Sequence, residues 1–179
     1  MRRLFLGAAS LGLGLVLVAP RAEAQFFVSA SATIPSGDYG DYAKTGWLAG
    51  VGARAWANEA GNIALWLVGE YGSNSHDADV VGVTDGDKTN IMSGGAFVAY
   101  TLGSNPDASM TPFIVAGGGY MNHQWSPATG DSENSGQAFA GGGLGLSFGD
   151  ESGGPWILAT YRNGFDDTKF ITIGGGWTF

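Results

Sequence analysis

Lys169–Phe179 reads KFITIGGGWTF, and its alternation is the clearest indication of the fold. Taken in steps of two, one of its faces is apolar throughout: Ile171, Ile173, Gly175, Trp177 and Phe179. A period of two is that of a β-strand whose two faces meet different surroundings. In water, an apolar strand that ends on an aromatic residue would be an aggregation-prone edge. The pattern is explained if the strand closes a barrel whose outer wall faces lipid.

The spacing of the terminal aromatic residues adds a more specific feature. Bacterial outer-membrane proteins typically end on an aromatic residue preceded by apolar residues at alternate positions, and this stretch resembles that signature. The resemblance implies that Trp177 and Phe179 form an assembly signal, which the barrel-assembly machinery of the outer membrane recognises.

Residues 1–24 have the three parts of a cleavable secretory signal peptide. Arg2 and Arg3 form the positive n-region, residues 4–18 form an apolar run, and Ala22-Glu23-Ala24 is a small-x-small cleavage site. The apolar run is shorter than the roughly 20 residues that a membrane-spanning helix needs. We therefore expect a signal peptide at residues 1–24 and a single outer-membrane β-barrel domain at residues 25–179.

The mature sequence is acidic and contains no cysteine. Removal of three arginines and one glutamate with the signal peptide leaves five basic and 15 acidic residues, a formal charge of −10. This balance argues against nucleic-acid binding, because phosphates are met by Lys and Arg. Since Cys is 0, disulfides and thiolate metal sites are excluded. We expect no cofactor.

Eight segments of roughly ten residues recur along the mature chain, the length that a tilted membrane strand requires. They are Phe26–Ile34, Thr45–Ala57, Asn62–Tyr71, Asn90–Leu102, Pro112–Asn122, Gln137–Phe148, Trp156–Asn163 and Lys169–Phe179. Longer connections rich in Asp, Gly, Ser and Asn alternate with mostly shorter ones, as extracellular loops and periplasmic turns do. The sequence predicts an all-β fold, an eight-stranded antiparallel up-and-down transmembrane β-barrel with both termini in the periplasm.

Charged and amide side chains assign the faces of these strands, because Arg or Lys facing lipid at mid-membrane costs about 2–4 kcal/mol. The side chains that this rule points into the lumen, as a polar network, are Arg54, Glu70, Gln137 and Arg162. We predict that Glu70 pairs with an inward arginine. The same alternation places Trp56 on the inward face, whereas Pro112–Asn122 is apolar on both faces and is not assigned.

Aromatic residues fall near the ends of the segments. Those towards the long loops are Trp47, Tyr71 and Tyr161, and those towards the short turns are Tyr100, Phe148, Trp177 and Phe179. Two belts of amphipathic rings, one at each interface, are expected of a barrel that spans a membrane.

Two alternative functions stay open at this point. One is a narrow ion or small-solute channel, although the interior of an eight-stranded barrel is just wide enough to be filled by side chains. The other is a lipid A-modifying enzyme, because His123, Ser126 and Glu133 are similar to the catalytic set of outer-membrane lipid A deacylases. In those enzymes one residue separates the His from the Ser on a lipid-facing strand. Here two residues separate them and Pro127 follows, so we expect no enzymatic activity.

The long connections carry acidic residues that suit divalent cations in their ligand chemistry. They are Asp38, Asp41, Asp77, Asp79, Asp85, Asp87, Asp131, Glu133, Asp166 and Asp167. The run from Asp77 to Asp87 lacks the spacing of an EF-hand loop, so we expect solvated carboxylates and no metal site.

As a whole, the mature chain resembles the small OmpA/OmpX-type outer-membrane β-barrel family in its strand count and its terminus. The resemblance implies a monomer with a structural or surface-interaction role through acidic extracellular loops, such as adhesion, envelope integrity or defence. It also implies outer-membrane lipid, lipopolysaccharide and an extracellular protein as classes of partner.

Overall fold

A computed structural model describes residues 25–80, 82–103, 109–148, 153–165 and 168–179. The predicted signal peptide lies outside these residues, as do Asp166 and Asp167 of the acidic loop set. The elements are β1 (Phe26–Ser36), a 3-10 helix (Gly37–Asp41), β2 (Gly46–Ala57), β3 (Ile63–Ser75), β4 (Lys88–Thr101), β5 (Thr111–Ser126), β6 (Glu133–Ser147), β7 (Gly154–Gly164) and β8 (Lys169–Thr178). Within these ranges, no helix has the length and apolar character needed to cross a membrane.

Each strand lies antiparallel to the next one in sequence, and β8 returns to pair with β1. The seam runs from Phe27 opposite Thr178 to Ser36 opposite Lys169. The backbone N–H of Phe179 continues it by donating to the carbonyl oxygen of Phe26 at 2.8 Å. The predicted eight-stranded antiparallel up-and-down barrel is therefore confirmed, and the final strand closes it.

Alternation along the strands separates a filled interior from an apolar outer wall. Ile91, Phe97, Met121, Phe139 and Phe170 form the buried apolar cluster of the lumen. On β5, which the sequence pattern left unassigned, the same rule applies. Met121 is buried and faces the lumen, whereas the neighbouring Tyr120 is exposed on the outer wall.

Three strands extend four residues further towards the long connections than their apolar alternation predicts. β3 ends at Ser75 instead of Tyr71, β5 ends at Ser126 instead of Asn122, and β6 begins at Glu133 instead of Gln137. The added residues are mostly polar or small, so they lack the pattern of a strand that faces lipid. The wall of β3 to β6 consequently rises above the apolar band.

The prediction that Trp56 faces the lumen is wrong. The register between β2 and β3 shifts between Arg54, opposite Trp66, and Trp56, opposite Leu65. One extra residue in a β-bulge reverses the alternation beyond it. The side chain of Trp56 consequently lies on the outer wall, where 53% of it is exposed.

Candidate functional site in the barrel lumen

Glu70 of β3 and Arg162 of β7 form a salt bridge across the lumen. Arg162 Nη2 donates to Glu70 Oε1 at 2.7 Å, and Arg162 Nη1 donates to Glu70 Oε2, so the guanidinium holds both carboxylate oxygens. Ser93 Oγ of β4 adds a hydrogen bond to Glu70 Oε2 at 2.8 Å. Only 9% of the Glu70 side chain and 7% of the Arg162 side chain are exposed. The two opposite charges therefore balance one another inside the barrel.

Three aromatic rings enclose the arginine of this pair. The Cζ atom of Arg162 lies 5.6, 5.7 and 5.9 Å from the ring centroids of Phe97, Phe139 and Phe170. A guanidinium within about 6 Å of an aromatic centroid is attracted by the ring quadrupole. Because both charged side chains are more than 90% buried, their electrostatic attraction is stronger than it would be in water.

Inward glycines give the ion pair its space. Gly50 lies opposite Glu70, and Gly141 lies opposite Arg162. A Cβ atom at Gly50 would come within 2.7 Å of Ser29 Oγ and 3.1 Å of Glu70 Cγ. A Cβ atom at Gly141 would lie 2.8 Å from the backbone oxygen of Tyr161 and 3.2 Å from Arg162 Cγ. Each long charged side chain therefore faces a glycine position at which a Cβ atom would be crowded.

A second polar layer surrounds His123, nearer the long connections. Gln137 Nε2 and Thr168 Oγ1 lie 3.1 and 3.2 Å from His123 Nδ1. The other ring nitrogen, Nε2, lies 3.0 Å from Met121 Sδ. Because Met121 and Gln137 are buried, His123 belongs to the interior of the barrel and lies on β5, not in a loop.

The four residues predicted to share one polar network thus lie at three levels. Glu70 meets Arg162, whereas Gln137 belongs to the layer around His123. Arg54 lies opposite Trp66. Trp66 precedes Glu70 by four residues on β3, so Arg54 lies nearer the short turns than the ion pair does.

The 3-10 helix after β1 places Tyr39 in the mouth of the barrel, where its side chain is buried. The Tyr39 ring lies parallel to the His123 ring, with an interplanar angle of 4° and 6.4 Å between centroids. Tyr42 meets the ring of Tyr39 edge-on at 5.6 Å and that of His76 at 5.2 Å. Burial raises the pKa of Tyr39, so its hydroxyl stays neutral. We call Tyr39, Tyr42, His76 and His123 the mouth cluster.

Hydrogen bonds connect His76 of the mouth cluster to β4 and to the β3–β4 connection, where the backbone N–H of His76 donates to the carbonyl oxygen of Asp87 at 2.9 Å. His76 Nε2 lies 2.8 Å from Thr89 Oγ1, and burial lowers the pKa of His76, an effect that the carboxylate of Asp87 partly opposes. The two oxygens of Asp87 accept hydrogen bonds from the backbone N–H groups of Thr84 at 2.9 Å and Ala128 at 2.7 Å. These bonds lower the pKa of Asp87. Asp87 therefore ties the β3–β4 connection to the β5–β6 connection.

The sequence does not predict the mouth cluster, because Tyr39, His76 and His123 fall outside the eight predicted segments. His123 falls two residues after Met121 on the inward face of β5, but the sequence pattern does not distinguish the two faces of this strand. No sequence signal marks Tyr39 either, whose burial depends on a short helix folding back into the barrel mouth.

The residues compared with a deacylase set do not converge. His123 faces the lumen, whereas Ser126, three residues further along β5, faces the outer wall. There Ser126 Oγ accepts a hydrogen bond from Asn90 Nδ2 at 3.3 Å. Glu133 is exposed at the start of β6, opposite Trp125. In the part of the chain that the structure describes, no three His, Asp or Glu side chains are grouped to hold a metal ion.

No protein-family model matches the sequence, and a comparison with curated proteins found no match. The structure, however, is similar to solved structures. Against Neisserial surface protein A the TM-score is 0.66 at 12% sequence identity, with 88% of this chain and 96% of that chain covered. Against the N-terminal β-barrel domain of Pseudomonas aeruginosa OprF it is 0.51 at 16% identity, with 87% and 97% covered. The chain has the fold of the small eight-stranded outer-membrane barrels.

On this outer-membrane barrel fold, the predicted belt aromatics all lie on the outer wall. Between 40% and 62% of each side chain is exposed for Trp47, Tyr71, Tyr100, Phe148, Tyr161, Trp177 and Phe179. Trp47 and Tyr71 contact one another near the long connections, with 5.8 Å between ring centroids. Trp56, beyond its bulge, joins the group near the short turns.

Proposed function

We propose that the protein is an integral barrel of the bacterial outer membrane, with a sealed lumen and a structural or surface-interaction role. One observation carries this proposal: bulky apolar side chains are exposed around the outer wall, while the Glu70–Arg162 pair is buried inside. Val51, Leu144 and Ile173 are each more than half exposed. Exposing apolar surface to water costs about 25 cal/mol per Å², a cost that lipid removes.

The filled lumen favours a sealed barrel over a channel. Near the short turns, the ring of Phe27 packs on those of Trp66 and Trp156, at 5.5 Å between centroids in both cases. The Glu70–Arg162 pair occupies the next level, and the mouth cluster lies above it. The opposite orientations of His123 and Ser126 likewise favour a role without catalysis.

The distribution of charge supports an orientation with the long connections outside the cell and both termini in the periplasm. Asp38, Asp41 and Asp79 are exposed at the long-connection end, and Asp77 forms an exposed salt bridge with Lys44 at 3.2 Å. We propose that this acidic surface meets extracellular partners. The closed sheet leaves no unpaired edge, which favours a monomer.

Membrane fractionation with heat-modifiable gel migration tests the proposal. We expect the full chain, expressed in a Gram-negative host, to fractionate with the outer membrane and to migrate faster before boiling than after it. A folded monomer that stays soluble in the periplasm without detergent would refute the proposal.

The same experiment tests the assembly signal. We expect Phe179→Ala to reduce the assembled, heat-modifiable fraction, because the proposed recognition by the assembly machinery depends on the terminal ring. Phe165→Ala is the matched control, since Phe165 is an equally exposed aromatic residue in the β7–β8 connection. Equal assembly of both variants would contradict a role for Phe179.

A further inference from the structure

A concavity lined by several amide side chains interrupts the outer wall near the long connections, across β3 to β6. Its volume is about 240 Å³, and it is lined by Tyr71, Asn90, Met92, Asn122, Gln124 and Asn134. We call it the amide groove, because four of its six lining side chains carry a carboxamide.

The alternation of the strands shows that this groove lies outside the barrel. Ile91 and Met121 are each only 1% exposed and point into the lumen. Their neighbours Asn90, Met92 and Asn122 therefore point away from it. The groove is separate from the ion pair and the mouth cluster, with the thickness of the wall between them.

The lining of the groove is rich in hydrogen-bonding groups and carries no formal charge. Each carboxamide offers two N–H donors and one oxygen acceptor. Asn90 Nδ2 donates to Ser126 Oγ at 3.3 Å. Within the described ranges, the side chains of Asn122, Gln124 and Asn134 make no hydrogen bond of their own. Such a surface matches a neutral ligand with many hydroxyl groups better than it matches a phosphate or a cation.

The height of the groove on the barrel wall indicates which neutral, hydroxyl-rich ligand lies within its reach. β4, β5 and β6 have 14, 16 and 15 residues, and spanning a membrane takes only about 9–11. The groove lies above the apolar wall, with Tyr71 of the aromatic belt at its lower edge. At that height, the neighbours of an outer-membrane barrel are the sugar head groups of outer-leaflet glycolipids.

We propose that the amide groove binds a sugar ring of an outer-leaflet glycolipid. The carboxamides hydrogen-bond the ring hydroxyls, while Tyr71 and Met92 cover its less polar face. The volume of about 240 Å³ is large enough for one sugar ring. This proposal rests on the proposed function, since it needs the barrel to lie in the outer membrane with the long connections outside.

Binding to the purified, refolded barrel in detergent micelles tests the groove. The probe is a short-chain lipopolysaccharide, measured as glycolipid bound per barrel by native mass spectrometry, with its acyl-free core oligosaccharide as the competitor. We expect Asn122→Leu/Gln124→Leu to weaken binding by about tenfold, because two hydrogen-bonding side chains are lost. Asn134→Leu, on the next strand, is a milder independent variant should the double substitution fail to refold.

Asn163→Leu is the matched control. Asn163 is an amide on the outward face of β7, at the same end of the barrel but away from the groove. Unchanged binding by this variant, with displacement of the glycolipid by core oligosaccharide, supports the groove. Equal affinity of the groove variants and the wild type, or no displacement, would overturn it. Either binding result leaves the proposed membrane location unaffected. A failed membrane fractionation, by contrast, would refute that location without changing the affinity measured for the glycolipid in micelles.

Discussion

The ion pair and the mouth cluster lie one above the other in the same lumen, yet the chain builds them differently. Glu70, Ser93 and Arg162 stand on three strands, so the ladders of the closed barrel fix their positions. Tyr39 and Tyr42 come from the connection after β1, which ring contacts and a few backbone hydrogen bonds, such as that from the Asp77 N–H to the Tyr42 carbonyl oxygen at 2.8 Å, hold against the end of β3 without a strand ladder. We infer that the ion pair is part of barrel stability, whereas the mouth cluster opens without unfolding the barrel.

The largest expected effect is that of Arg162→Met. The substitution leaves the Glu70 carboxylate buried without its partner, and breaking a buried pair in this way costs about 3–5 kcal/mol. Urea unfolding of the barrel refolded in lipid vesicles measures the loss.

The double variant Glu70→Met/Arg162→Met tests whether the two charges stabilise the barrel as a pair. It removes both charges, so its destabilisation should be smaller than the sum of those of the two single variants. Strictly additive losses would mean that the two side chains are not energetically coupled.

Gly50→Ala should have the next largest effect, about 1–3 kcal/mol, because the added methyl group crowds Ser29 and Glu70 in a filled lumen. Gly69→Ala is the control, since a Cβ atom there meets nothing within 4 Å. Unfolding of the two variants under the same conditions checks the prediction. Equal destabilisation of both would show that the space beside the ion pair does not matter.

Tyr39→Ala should open the mouth and leave global unfolding nearly unchanged. The variant loses the ring that stacks on His123, so the free energy of opening the mouth should fall by ~1.4 kcal/mol. We therefore expect His123 to react with diethyl pyrocarbonate about tenfold faster. Tyr120→Ala, which removes an exposed tyrosine from the outer wall, should leave that rate unchanged. A large fall in global stability for Tyr39→Ala would contradict the separation of the two layers.

Acid should loosen the mouth in a smaller, graded way. The folded-state pKa of His76 is lowered, so the opened state binds the proton more readily, and closure weakens as pH falls below about 6.5. The pKa of Asp87 is also lowered in the closed state. Its contribution to the stability of the closed mouth is therefore present above pH ~3.9, and it is lost as the pH falls through the folded-state pKa.

Tryptophan fluorescence checks the His76 step, because the Trp125 ring lies 6.1 Å from the His76 ring. We expect a transition with a midpoint below about 6.5 that is absent in His76→Gln. A transition that persists in the variant would assign the proton to another group.

The sequence predicts those features that depend on the cost of placing a side chain in lipid. The sequence places Glu70 and Arg162 in the lumen because charge is costly on the other face, and it identifies β8 as the closing strand because its apolar alternation needs a partner. It misplaces Trp56 because a β-bulge leaves no mark in an apolar pattern. The polar ends of β3, β5 and β6, and the return of Tyr39 into the mouth, depend on contacts between distant segments.

Conductance of the purified wild-type barrel in planar lipid bilayers measures whether the lumen is sealed. A lumen filled by the Phe27 rings, the Glu70–Arg162 pair and the mouth cluster should produce no stepwise currents after insertion, whether or not acid has loosened the mouth. Reproducible unitary currents, abolished when the inserted protein is removed, would contradict a sealed barrel.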